Sequence, residues 1–274
     1  MNTIHPNHIL GWALVTGGSS GIGLEFSRQL AANRYNLILA SRDGDKLAIA
    51  AEQLRREYQI EVETMSVDLG NAQDVTRLID RICDQARPVE VLVNDAGFAV
   101  RDSLLAEDTS RQMTAFAVMA EAVLKLSGAA ARTMVARGRG RIINVASTSA
   151  WLFAGNYSAL KRWVVVYTES LALELKGSGA AATAVCPSWV KTDFHKNAGV
   201  DRPDVPGWLW VSAETVVKSA LSASARGKSR VIPTFRWRTA IFILKHCEPF
   251  ARWLSKRMVT KRLAELARKS VNNE

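Results

Sequence analysis

The chain has 274 residues and 48% hydrophobic content, enough for one large domain with a sizeable core and too little for a second full domain beside it. Its three cysteines, Cys83, Cys186 and Cys247, are odd in number and fall in no Cys-x-x-Cys or Cys/His spacing; this excludes a disulfide framework, gives no metal site, and fits small buried side chains in a reducing cytosol. The net charge of +10 is confined to one end, with 23 Lys/Arg against 23 Asp/Glu in residues 1–225 and 13 against 3 in residues 226–274, so the chain is not a generally basic protein and its anionic partner is a local one.

The first apolar run, residues 9–16, is too short for a signal-peptide core with a cleavage site and leads straight into a glycine motif. Residues 12–15 therefore read as a strand, and no secretion is expected. The motif is Thr16-Gly17-Gly18-Ser19-Ser20-Gly21-Ile22-Gly23, followed by a helix-compatible run over 24–33. Gly17, Gly21 and Gly23 allow a tight turn and close backbone approach, so that a pyrophosphate can sit on the helix N-terminus beside Ser19, Ser20 and Ile22. A second strand, 37–40, ends in Ala40-Ser41-Arg42-Asp43. An acidic side chain leading that end would bind the ribose 2′-hydroxyl of NAD; the Ser41 hydroxyl and the planar, permanently charged fork of Arg42 suit the 2′-phosphate of NADP(H), with Asp43 as an alternative partner for the arginine.

A third strand, 62–67, precedes Asp68-Leu69. Residues 74–85 place Val75, Leu78, Ile79 and Ile82 on one helical face. The fourth strand, 91–93, runs into Asn94-Asp95-Ala96-Gly97, and a long helix over 109–137 stops at Gly138. The fifth strand, 142–146, delivers Ser147, and ten residues later comes Tyr157-Ser158-Ala159-Leu160-Lys161 at the head of a helix that ends at Gly177. Tyr157 and Lys161, at i and i+4, share one helical face, while Ser147 reaches the same spot from a strand's C-terminal edge, where ligands bind in such sheets. The sixth strand is 181–186, and a short seventh is 230–232. Pro203, Pro206 and Gly207 interrupt the rhythm and mark a lid at about 194–212. The alternation gives an α/β fold: a single doubly wound Rossmann domain over 1–235 with a mostly seven-stranded parallel sheet, and a basic amphipathic C-terminal helical extension over 236–274. No uninterrupted apolar stretch approaches the roughly 20 residues of a spanning helix.

Reducing a ketone requires a hydride at carbon and a proton at oxygen. A free tyrosine, with a pKa of about 10, is a slow partner near neutrality, and a neighbouring ammonium is expected to draw its pKa down. Ser147, Tyr157 and Lys161 thus form the candidate catalytic group.

Together the TGxxxGIG motif, Asp68-Leu69, Asn94-Asp95-Ala96-Gly97 and the Ser147, Tyr157, Lys161 set resemble the short-chain dehydrogenase/reductase family over about residues 10–235. The resemblance implies that Asp68 and Leu69 lie at the adenine, and that Asn94, Ala96 and Gly97 steady the central sheet beside the adenosine. It implies that Tyr157 is the general acid/base, that Lys161 holds the nicotinamide ribose and tunes the tyrosine, and that Ser147 hydrogen-bonds the substrate oxygen. Pro187, Val190 and Thr192 match the segment that contacts the nicotinamide carboxamide. Two positions depart from the pattern: Met119 stands where the family commonly has a relay asparagine, a job a thioether cannot do, and Ser188 stands where Pro-Gly is usual. The short spacing between Ser147 and Tyr157 resembles that of bacterial reductases of long-chain 3-oxoacyl groups, mycolate-type precursors and steroids. A homodimer or homotetramer in the cytoplasm is implied. Loss of chemistry at Met119 would leave an NADP-binding sensor or scaffold.

Trp151, Phe153, Trp189, Phe194, Trp208 and Trp210 cluster near the expected pocket entrance and suggest a bulky apolar carbonyl or alcohol substrate, lid packing being the alternative. In the extension, Phe250, Leu254, Met258 and Leu266 recur near helical spacing, with Trp253 beside them and Arg252, Lys256, Arg257, Lys261, Arg262, Arg268 and Lys269 around them. Such a helix either lies on an anionic membrane surface, at the inner face of the membrane, or docks on its own domain or a sister subunit. No motif for nucleic acid is present.

Overall fold

The computed structural model describes residues 9–192 and 206–271, with side chains as far as residue 264. Seven parallel strands, β1 (Trp12–Thr16), β2 (Asn36–Ser41), β3 (Val62–Ser66), β4 (Val89–Asn94), β5 (Gly140–Val145), β6 (Ala180–Val185) and β9 (Arg230–Val231), form one sheet in the order β3-β2-β1-β4-β5-β6-β9. The order reverses between β1 and β4, which opens a crevice at their C-terminal ends. Each central strand is apolar on both faces because helices cover both. Leu14, Ile38, Leu92 and Ile142 pack with Leu78, Leu126 and Leu171, from α3 (Ala72–Cys83), α5 (Ala122–Arg137) and α6 (Asn156–Glu174). Val15, Leu39, Val93 and Ile143 point the other way, onto Phe26, Leu47 and Val217 from α1 (Gly21–Ala32), α2 (Gly44–Tyr58) and α7 (Ala213–Ala225). Fully burying each such side chain stabilises the fold by about 1.5–3 kcal/mol.

The expected long helix is present but not regular. Its first part, α4 (Ser110–Phe116), passes into α5 through a π-helical turn at Ala117–Glu121, in which the Ala122 N–H reaches the Ala117 carbonyl five residues back. By length and mean hydropathy this helix could cross a membrane, although Glu121, Lys125 and Arg132 interrupt its apolar run; half of its most apolar stretch is buried inside the domain, as in a core helix. A two-stranded parallel ribbon, β7 (Trp189–Val190) with β8 (Trp210–Val211), was not foreseen. Two residues per strand are too few to show a period.

The extension folds as α8 (Phe235–His246) and α9 (Glu248–Val271). Ile241 of α8 is buried with Trp151, Val164, Val165 and Cys186, and Ala251 and Ser255 of α9 are buried as well. The extension therefore docks on its own domain. The docked face of α9 carries Ala251, Ser255, Val259 and Arg262, while Phe250 and Met258 of the expected apolar stripe are exposed.

Candidate active site

The glycine turn is built by contacts that no side chain could accommodate. Gly17 has φ +71° and Gly21 φ +54°, both left-handed, and a Cβ on Gly23 would lie 2.2 Å from the Gly17 carbonyl oxygen. Ser20 is the N-cap of α1 but makes no side-chain cap bond; the Gly23 N–H goes to the Asp95 carboxyl, and among the described residues the Gly21 and Ile22 N–H groups have no acceptor. Thr192, with methyl and Cβ atoms 3.6 Å from the position a Gly21 Cβ would take, brings the end of the 189–192 segment over the same turn. Free helix N–H groups at a turn of that narrowness make a cradle that fits a dinucleotide pyrophosphate.

At the end of β2 the Ser19 hydroxyl donates to that of Ser41 at 3.2 Å. Ser19, Ser20, Ser41, Arg42, Asp43 and Lys46 line an open depression of about 460 Å³. Asp43 does not pair with Arg42: its carboxylate caps α2 at the Lys46 N–H, 3.0 Å away, and pairs with the Lys46 ammonium at 2.9 Å. The N-cap bond from the Lys46 N–H, followed by the Lys46 side chain, holds Asp43 below the usual carboxylate range. Among the described residues the Arg42 guanidinium has no ion pair, which leaves its fork open to an anion. Lys46 was missed in the sequence because it lies one helical turn past the motif. Asp68 spends its carboxylate on the turn, accepting from the Gly70 N–H at 2.9 Å, and Leu69 is buried.

Asn94 faces inward. Its amide donates to the Ser127 hydroxyl (3.1 Å) and to the Asn144 side-chain oxygen (2.9 Å), and the Asn144 amide donates to Thr168 at 3.0 Å. This polar network joins β4, β5, α5 and α6, so the Asn94 side chain serves the sheet and not the crevice. The Asp95 carboxyl accepts from the Gly23 N–H and lies against the glycine turn. Burial pushes its pKa up to about 7, against the opposing pull of the Lys161 ammonium and the Gly23 N–H. Ala96 abuts Gly17, and a Cβ on Gly97 would meet the Met119 sulfur at 3.0 Å. The π-turn places the Met119 sulfur beside Gly97, with the Lys161 Nζ 3.8 Å from the same Cβ position; π-turns inside long helices often accompany functional sites.

Ser147, Tyr157 and Lys161 are brought together. Ser147 caps a short 3-10 turn, Thr148–Trp151, by accepting from the Ser149 N–H at 3.1 Å, and it shares a hydrogen bond with Tyr157. Lys161 donates to the Val145 carbonyl at 2.8 Å, with its Nζ 5.8 Å from the centre of the Tyr157 ring. The expected lowering of the tyrosine pKa is not what dominates here: burial raises it, the Ser147 hydrogen bond works against that rise, and Asp95 adds to it. Burial also pushes Lys161 down to about 8, with the Asp95 carboxylate pulling the other way. Burial therefore keeps the phenol protonated at neutral pH while making it a weaker acid than a free tyrosine, so it gives up the proton only to an oxygen on which negative charge develops.

Pro187 accepts from the Thr148 N–H at 2.8 Å, and Val190, paired with Val211 in the β7–β8 ribbon, is buried. Of the aromatic residues, Trp151 is only 7% exposed and packs in the core cluster with Cys186 and Ile241, behind the site; it is a structural residue and does not line the entrance. Phe153 (52% exposed) and Trp208 (60% exposed) are open, and Trp189 and Trp210 meet across β7–β8 with ring centres 6.0 Å apart. Phe194 and the 194–205 part of the expected lid lie outside the described residues.

A family model described as short chain dehydrogenase matches residues 11–203. A protein of Streptomyces coelicolor provisionally named a ketoacyl reductase is 34% identical over 190 residues, 66% of this chain and 70% of its own length. The very-long-chain 3-oxoacyl-CoA reductase of Bos taurus is 31% identical over 219 residues, 77% of this chain and 67% of its own. Among solved structures, a short-chain dehydrogenase from Sphingobium yanoikuyae in complex with NADPH matches with a TM-score of 0.78 and 28% identity, covering 88% of this chain and 96% of that one.

Proposed function

The chain belongs to the short-chain dehydrogenase family, and from that premise we propose that it is an NADP(H)-dependent reductase or dehydrogenase acting on the C=O/CH–OH carbon of a bulky apolar substrate, 3-oxoacyl or steroid-like. The observation that carries this reading is the convergence of Ser147, Tyr157 and Lys161 beside the glycine cradle. When bound, the nicotinamide supplies or accepts the hydride; the protein's residues do the rest. The Ser149 N–H occupies one lone pair of Ser147 and leaves its hydroxyl hydrogen available to the substrate oxygen or to Tyr157. Tyr157, kept protonated by burial, delivers its proton to that oxygen as charge develops on it. Lys161, anchored on Val145, holds the nicotinamide ribose and steadies the phenolate left behind. Gly17, Ser19, Ser20, Gly21, Ile22 and Gly23 carry the pyrophosphate, Asp68, Leu69, Ala96 and Gly97 border the adenosine, and Pro187, Val190 and Thr192 border the carboxamide.

Ser41, Arg42 and Lys46 around one depression support a 2′-phosphate and hence NADP(H). The exposed aromatics of 208–210 and Phe153 support an apolar substrate. Exposed Met113, Phe116 and Leu124 on α4 and α5, with Val166 and Leu173 on α6, support a homodimer or homotetramer. On the outer face of α9, Phe250, Trp253, Lys256, Arg257 and Lys261 support contact with an anionic membrane surface. The test is NADPH oxidation with a panel of long-chain 3-oxoacyl thioesters and steroid ketones: turnover is expected with at least one, and NADPH binding without turnover on any would favour a sensor or scaffold.

A further inference from the structure

Only nine residues separate Ser147 from Tyr157, and the C-terminal helices contact five of them, residues 150, 151, 153, 154 and 155. Ile241 of α8 packs in one cluster with Trp151 and Ala150 of the 3-10 turn. Two residues on, α9 takes over. The Ser255 hydroxyl, on a residue 2% exposed, accepts from the Phe153 N–H at 2.9 Å. The Arg252 guanidinium stacks 4.8 Å from the Phe153 ring centre. Arg262 donates from Nη1 to the Ala154 carbonyl at 2.9 Å. Gly155, with φ +94°, is the N-cap of α6, and a Cβ there would lie 2.7 Å from the Arg262 Nη1. The guanidinium thus fills the space that any other residue at 155 would need. Tyr157 follows two residues later. Arg101 and Asp102 on the loop after β4 lie within electrostatic reach of the same guanidinium.

From these contacts we propose that α9 is a wall of the active site, in which Arg262 and Ser255 are positioning residues that hold the 153–155 backbone and so set where Tyr157 stands relative to Ser147. The proposal rests on the reductase reading for its catalytic consequence, but its structural half stands without it. An α6 N-terminus capped by glycine has no side-chain cap bond of its own. Its first turn is therefore anchored mainly from outside, by Arg262 on one side and by Asn156, which donates to the Gln112 carbonyl at 3.4 Å, on the other. A loss of even 1 Å in placement at a catalytic acid is enough to lower turnover by orders of magnitude.

The experiment compares the full-length wild type with Arg262→Ala, Arg262→Lys and Ser255→Ala. Three quantities are read: hydrogen–deuterium exchange over residues 152–158, the NADPH Kd, and kcat on whichever carbonyl substrate the panel identifies. In Arg262→Ala, exchange over 152–158 is expected to speed up at least tenfold while β1 and β4 amides stay protected. NADPH Kd is expected to stay within twofold and kcat to fall at least tenfold, with Arg262→Lys, which keeps one donor, in between. Unchanged exchange over 152–158, or kcat within twofold of wild type, would overturn the proposal. Should Arg262→Ala fail to fold, Ser255→Ala, which deletes a single acceptor, decides by the same three readings. If the wild type turns over nothing on the panel, the reductase reading fails, and the exchange measurement still decides whether α9 holds the loop.

Discussion

The carbonyl oxygen of Gly17 occupies the space beside Gly23 so closely that no Cβ fits between them, the approach being 2.2 Å. Gly23→Ala must therefore push the turn apart from the start of α1. NADPH affinity is expected to drop by at least a hundredfold, read by fluorescence titration, together with a lower Tm. Retained affinity would show that the cradle is not where the dinucleotide sits.

Tyr157→Phe removes the proton and little else. Turnover should fall by about 10²–10⁴-fold, the usual contribution of a general acid, with NADPH Kd unchanged. Because burial raises the Tyr157 pKa, the reduction rate should stay flat through neutral pH, and the reverse oxidation should speed up as pH rises.

Asp95 gives a pH signature of its own. Its folded pKa, about 7, stands above its unfolded value of 3.8. A raised pKa contributes stability that is complete below the unfolded value and is lost as pH climbs through the folded one. Wild-type stability should therefore decline between about pH 4 and pH 7 on this account, and Asp95→Asn, which keeps an acceptor for Gly23 N–H, should remove the decline. The variant is expected to gain up to about 4 kcal/mol over wild type at pH 8 and about 1 kcal/mol at pH 4.5, in urea unfolding. Removing the carboxylate also lets the Lys161 pKa fall further, so the alkaline loss of activity should begin at lower pH.

Arg42 and Lys46 are both exposed, so their contribution is modest and screened by salt. Arg42→Ala and Lys46→Ala should each shift the NADPH:NADH preference by about tenfold, roughly 1.4 kcal/mol, towards NADH. An unchanged ratio in both variants would remove the 2′-phosphate assignment. Lys46→Ala should also free Asp43, which adds repulsion against the phosphate.

Charge reversal on the outer face of α9 separates membrane contact from docking. Lys256→Glu/Arg257→Glu/Lys261→Glu should abolish flotation with anionic liposomes while leaving Tm within a few degrees. Equal flotation of the two forms would refute the membrane reading.

The six long strands were legible because each central one is apolar on both faces and each is followed by a glycine, a proline, a cap or a charged turn. Ser147, Tyr157 and Lys161 could be placed because a strand end and an i,i+4 spacing fix direction. Trp151 was misplaced for a physical reason: tryptophan in a core and tryptophan at an entrance look the same in one dimension, and only its packing on Cys186 and Ile241 distinguishes them. The face by which α9 docks was invisible for the opposite reason. It uses Ala251, Ser255 and Arg262, small or polar residues that leave no hydrophobic stripe, while the apolar residues at helical spacing, Phe250 and Met258, point away. Asp95 and Lys161 could not be seen to share an electrostatic site, because nothing local links positions 95 and 161.

The chain of side-chain amides and hydroxyls from Ser127 through Asn94 and Asn144 to Thr168 fastens two neighbouring strand ends to two helices with every link buried. Truncating any one member strands its neighbours without partners, so this bank of the crevice behaves as a single plate.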